Sequence, residues 1–332
     1  MNKIERIKAA LEGKEVDKLP FAFWSHLPGI DLDPERLAKE TYAFYKKYDI
    51  DFVKTMNNGM YSIEDFGCEI DYSEVPKGGV AKIIKTPIIS SEDWKNIKEI
   101  PLTSKAISRE LYSLELLLSM LKDENVPVVF TAFSPITTAE KLSGKKLKDH
   151  IKEGKGELIH QALKEITKTT CNLVERAINM GASGIFLASQ LTTFNEMTDK
   201  EYLEFGKPYD LKVLEAASKG WFNIIHAHGN NIMFDILKTY PVQAFNWHAW
   251  ETLPNIDEAR DLTEKCLMGG IMRMDITNCH KNEVRNQIYN SIKLLKRKKH
   301  ILTPGCVIRY PLNEDMLRFV KATKEEIENI LK

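Results

Sequence analysis

Short apolar runs alternate with longer amphipathic stretches along most of the 332 residues. The runs at 19–24, 51–55, 127–132, 184–188, 222–226, 243–247, 267–272 and 300–303 are too short for helices and read as buried strands. Around them, Ile, Leu, Val and Ala recur at helical spacing over 2–12, 34–48, 104–122, 137–153, 157–179, 199–219, 231–239, 256–265, 281–297 and 313–331. Apolar strands separated by helices imply a parallel sheet, because helices then cover its faces. Eight such strands in a chain of this length predict an α/β fold, a single (β/α)8 TIM barrel spanning 1–332. The stretch 57–103 breaks the rhythm. There Gly59, Gly67, Pro76, Gly78-Gly79, Pro87 and Pro101 surround one extended piece, 80–84, and an insertion after strand two is expected.

A barrel of this kind carries its chemistry just past the C-terminal ends of its strands. Those positions hold Trp24, Ser25 and His26, then Lys54, Asn57 and Asn58, then Ser134, then Ser189 and Gln190. Further on they hold His226 and His228, Asn246 and His248, Arg273 and Asp275, and Cys306. Four of the eight histidines fall on these rims. His150, His160, His280 and His300 do not, and a solvated or structural role is expected of them.

Two rim segments answer each other. Phe222-Asn-Ile-Ile-His226-Ala-His228-Gly ends a strand abruptly, and Thr303-Pro-Gly-Cys306 closes another. Side chains two apart on a strand point the same way, so His226 and His228 can converge. A thiolate from Cys306 completes three ligands, the number a catalytic zinc uses when one position stays open. The competing reading is two polar loop residues and a structural cysteine.

Composition narrows the function classes. Lys plus Arg and Asp plus Glu both number 47, so the net charge is zero and nothing favours a polyanion; nucleic-acid binding is not expected. Five cysteines (68, 171, 266, 279, 306) without framework spacing suggest a reducing cytoplasm. No apolar run approaches membrane-spanning length, and no signal core opens the chain.

The chain resembles the uroporphyrinogen decarboxylase superfamily over essentially its full length. The resemblance is carried by Glu5-Arg-Ile-Lys-Ala-Ala-Leu-Glu-Gly…Asp17-Lys-Leu-Pro20, Phe133-Ser-Pro-Ile-Thr137, Gly181-Ala-Ser-Gly-Ile-Phe186 and Pro304-Gly-Cys…Pro311-Leu-Asn-Glu-Asp-Met316. It implies a single-domain (β/α)8 barrel and one of two chemistries. True decarboxylases carry arginines after strand one, where this chain reads Trp24-Ser-His-Leu-Pro-Gly-Ile30. Their aspartate after strand two falls on Asn58, their tyrosine after strand three on Lys141, and their late histidine on Cys306; Ser189 is retained. A polycarboxylate tetrapyrrole needs cationic anchors, so the resemblance points away from that substrate.

The other branch comprises zinc methyltransferases, such as the methylcobalamin:coenzyme M and corrinoid-linked enzymes, with a His-x-Cys after strand five and a Cys after strand eight. This chain matches at His226 and Cys306 and has His228 in place of the first Cys. Imidazole also binds zinc, but the site keeps a formal charge of +1 instead of zero. The resemblance therefore implies a zinc-dependent, corrinoid-type methyltransferase. It would use Zn2+ on His226, His228 and Cys306, a small methyl donor or thiol acceptor, and a corrinoid (methylcobalamin) on a separate protein, acting as monomer or homodimer. Asp275, His248, Asn58 and Ser189 are candidate catalytic residues, with Glu69 an alternative acid–base or extra ligand. Trp24, His26, Gln190, Asn246 and Arg273 are expected to bind substrate. The alternatives are a metal-independent decarboxylase or lyase using Lys54, Arg273 and Asp275, and a non-catalytic barrel that only docks a corrinoid carrier.

Overall fold

The computed structural model describes residues 1–77 and 80–331, so Gly78-Gly79 of the irregular stretch and Lys332 lie outside the described residues. In chain order the strands are β1 (Val53–Lys54), β2 (Glu69–Asp71), β3 (Lys82–Lys85), β4 (Val128–Phe133), β5 (Gly184–Ser189), β6 (Ile224–Ala227), β7 (Ala244–Trp247), β8 (Cys266–Ile271) and β9 (His300–Pro304). Seven form one curled parallel sheet in the order β1-β4-β5-β6-β7-β8-β9, while β2 and β3 pair antiparallel apart from it. All residues of β4 through β9 in the parallel sheet are buried. That explains why these runs are apolar without alternation: helices cover one face and the inside of the curve fills the other.

The expected first strand, 19–24, is extended but makes only isolated parallel bridges, Phe21 to Leu302 and, just beyond, Ser25 to Ile308. Its backbone donors explain this. Pro20 has none, and the N–H of Phe21 goes to the Asp51 carboxylate at 2.9 Å instead of to a neighbouring strand. The segment nonetheless bonds both ways, since the N–H groups of Asp51 and Leu302 reach the carbonyls of Phe21 and Pro20. Asp51 is itself anchored by Arg6 at 2.6 Å, which ties the N-terminal helix to this seam.

Three helical expectations change. The stretch 137–153 divides into Pro135–Leu142 and Leu147–Lys152, because Gly144 and Lys145 adopt left-handed backbone angles. The stretch 199–219 divides into Asp199–Phe205 and Lys207–Ala216, where Pro208 removes a helical N–H. The helix expected over 231–239 shrinks to Phe234–Leu237, and an unexpected short helix, Arg273–Thr277, follows β8 directly. Among the described residues no helix is long and apolar enough to cross a membrane.

Candidate metal centre

His226 lies in β6 and His228 one residue past its end. The N–H of His228 donates to Ser189 O at 3.0 Å. This extends the β5–β6 ladder beyond the strand, so the two-residue alternation still holds and both imidazoles leave the same side. Gly229, at φ 90°, then turns the chain away. Cys306 arrives through a different constraint. A Cβ on Gly305 would stand 2.7 Å from His248 Cα and Trp247 O. Only glycine lets the turn after β9 press against the backbone after β7, which sets Cys306 beside His248 and the β6 histidines.

One donor atom from each of His226, His228, His248 and Cys306 lies within 4.8 Å of all the others. Cys306 Sγ is 3.8 Å from His226 Nε2 and 3.6 Å from His228 Nδ1. Zinc bonds of about 2.0–2.3 Å place tetrahedral donors roughly 3.3–3.8 Å apart, so these separations suit atoms sharing one ion. The tautomer of His226 follows from its neighbour. Asn246 Nδ2 donates to Met268 O at 2.8 Å and Pro304 O at 3.3 Å, which commits its Oδ1 to accepting. That oxygen is 2.6 Å from His226 Nδ1. Nδ1 therefore carries the proton and Nε2 presents its lone pair to the cluster.

His248 holds Nδ1 3.3 Å from Glu251 Oε2, while its buried Nε2 has no hydrogen-bond partner in the protein. A buried ring nitrogen left unpaired beside a cluster of donors marks a functional position, and Cys306 is within its reach. Burial opposes ionisation of Cys306, but the three imidazoles outweigh it and hold its thiol well below the ordinary range. Burial likewise works against a charged His248, yet Cys306 and Glu251 push its pKa up to about 9. One thiolate and three imidazoles fit Zn2+ in donor type and spacing.

The cluster faces a cavity of about 550 Å³. Trp24, His26, Asn58, Gln190 and Arg273 line it, as do His226, His228 and Cys306. His26 opens onto the cavity and is exposed to solvent. Asn58 Oδ1 accepts from Met60 N at 2.8 Å and from Tyr72 OH at 3.2 Å, so its amide orientation is set. The structure keeps several other candidates away from the cavity wall. Asn246 stands behind His226 instead of facing substrate, and Ser189 is fully buried at the end of β5. Asp275 accepts from His280 Nδ1 at 2.8 Å and Gln287 Nε2 at 2.6 Å, and does not pair with Arg273. Glu69 forms an exposed ion pair with Lys85 on the β2–β3 sheet. Trp247 and Trp250 donate to the carbonyls of Pro254 and Gly270, as rim packing would require.

Sequence reasoning missed Glu251 and Asp31 and noted Lys141 only as a point of resemblance. The spacing of His248 and Glu251, three apart in a turn, is the signal that could have found the first. Asp31 and Lys141 carry none, because each reaches the cavity only through the folded chain.

The family profile of uroporphyrinogen decarboxylase (URO-D) matches residues 2–326, and the chain belongs to that family. A uroporphyrinogen decarboxylase of Corynebacterium glutamicum (strain R) is 24% identical over 199 residues, covering 58% of this chain and 53% of that protein. The match thus spans about half the length of that relative. Among solved structures, a methyltransferase from Methanosarcina mazei superposes with a TM-score of 0.84 at 17% identity, covering 99% of both chains. A B12-independent methionine synthase from Shewanella superposes with a TM-score of 0.56 at 13% identity, covering 94% of this chain and 97% of that one. Identities this low establish a shared fold.

Proposed function

We propose that this protein is a zinc-dependent methyltransferase of the corrinoid type, a cytoplasmic single-domain (β/α)8 barrel in which the non-strand segment 19–24 bridges the two ends of the seven-stranded sheet. The observation that carries the reading is the converging donor set of His226, His228 and Cys306 at the mouth of a cavity, with His248 beside it. His226 Nε2, His228 Nδ1 and Cys306 Sγ would hold the ion. Bound there, Zn2+ supplies a Lewis acid that keeps a thiol acceptor ionised or polarises the atom bearing the methyl group.

The chain's own residues do the rest. Asn246 fixes the ring of His226, and Cys306 contributes the one anionic donor. His248, steadied by Glu251, presents Nε2 and can take or return a proton there. Trp24 and Phe186 give the cavity an apolar wall. A cavity of about 550 Å³ suits a small molecule and not a corrinoid macrocycle, which supports a cobalamin carried on a separate protein. The missing arginines after residue 24 argue against uroporphyrinogen as substrate.

The test is metal analysis of protein purified without chelator, followed by methyl transfer from methylcobalamin to a thiol. One zinc per chain is expected, lost in His226→Ala and Cys306→Ala. A zinc-free wild type, or wild-type zinc in both variants, would overturn the reading and favour a metal-independent lyase on the same barrel. So would uroporphyrinogen turnover on the order of one per second.

A further inference from the structure

Several well-covered cations among the described residues are matched by carboxylates. Arg6 pairs with Asp17 and Asp51, Arg109 with Glu64 and Glu110, and Lys324 with Glu328. Lys54, which is buried, and Lys141, which is half-buried, are not so matched. Lys54 is 7% exposed, and its amine reaches Thr55 O at 3.3 Å and the ring faces of Phe186 at 4.8 Å and Trp24 at 5.8 Å. Lys141 donates to Gly59 O at 3.0 Å and lies 4.5 Å from the Phe133 ring. Arg273 leaves its buried Nε without a partner. All three line the one cavity, and among the described residues none of them has a carboxylate within ion-pair distance.

An ammonium group taken out of water without a counter-ion is costly. A carbonyl and an aromatic face offset part of that cost and not the charge. Asp31, the carboxylate on the cavity wall, makes no ion pair with any of the three, and burial pushes its pKa up to about 6, against the pull of Asn58 and Arg109. Cys306 is the one anionic group that acts on Lys54, and its charge is shared with the three imidazoles around it, so the cavity's cations outnumber the charges that answer them.

We propose that Lys54, Lys141 and Arg273 form a binding site for the oxyanion of a small organic acid, whose other end reaches the cluster around Cys306. The apolar wall of Trp24, Phe133 and Phe186 receives the body of that molecule, and the two amines converge on its head group. This deepens the methyl-transfer reading by naming the charge class of its substrate, and it takes from that reading only which end reacts. The anion site itself needs no metal.

The experiment is calorimetric titration of the full-length protein with benzoate and with benzamide, its neutral near-isostere. Wild type, Lys54→Met, Lys141→Met and the double variant are compared, with His226→Ala as the metal-free control. Benzoate is expected to bind roughly tenfold or more tightly than benzamide, as charge-assisted hydrogen bonds require. The preference should fall in each single variant, vanish in the double variant and persist in His226→Ala. Removing an unpaired buried charge should also raise the Tm of the ligand-free Lys→Met variants, which shows that they fold. Equal binding of the two probes, no benzoate binding at tens of millimolar, or a preference surviving in the double variant overturns the proposal. A preference lost in His226→Ala would place the anion on the metal and overturn it as well. Zinc-free wild type that still prefers benzoate would overturn the metal reading alone.

Discussion

Asn246→Ala is the sharpest probe of the cluster, because Asn246 acts through geometry and does not face the cavity. Its amide donates to the carbonyls of Met268 and Pro304 and accepts from His226 Nδ1 at 2.6 Å. With that acceptor gone, His226 can take the other tautomer or rotate, and Nε2 is no longer held toward Cys306. Outer-shell partners of this kind are worth about 10–100-fold in metal affinity, or about 1.4–2.7 kcal/mol. The truncation also strips donors from buried carbonyls, which costs about 1–3 kcal/mol per orphaned group. The two effects separate in Asn246→Asp. That variant keeps an acceptor for Nδ1–H but loses both donations, so zinc affinity should survive while the Tm falls. Zinc competition against a chromophoric chelator, beside thermal melts, reads both. Asn246→Ala that stays folded and binds zinc within about twofold of wild type would refute the argument for a locked tautomer.

His228→Cys should retain zinc while lowering the formal charge of the site from +1 to zero, and so change acceptor reactivity at constant metal content. His228→Ala should leave only His226 and Cys306 of the proposed ligands and lose most of the zinc, and Cys306→Ala should do the same by removing the one thiolate; both are read by zinc stoichiometry. Arg6→Met should destabilise by about 3–5 kcal/mol, because it leaves the carboxylate of Asp51 buried without its partner; denaturant unfolding measures it. Burial pulls Lys54 and Lys141 down to about 8 each. Above that pH the unfolded chain binds more protons than the folded one, so stability should rise from about pH 8 toward the ordinary lysine range near 10.4. Unfolding free energy measured across that window should rise less steeply in Lys54→Met and Lys141→Met than in wild type.

The alternation of short apolar runs with helices sufficed to place the seven strands of the curled sheet, since burial on both faces leaves a local imprint on composition. Strand geometry has a period of two, so the shared direction of His226 and His228 was also legible, and the Pro304-Gly305-Cys306 turn marked the third donor. Tertiary structure decided the rest. The segment 19–24 looks like a strand, but a distant carboxylate, Asp51, takes the N–H of Phe21 and breaks its ladder. His248 joins the cluster only because Gly305 lets two loops from different strands touch. The exceptional state of Lys54 and Lys141 lies in what does not surround them. A missing counter-ion is a property of the whole fold around a side chain, and no stretch of sequence near either lysine encodes it.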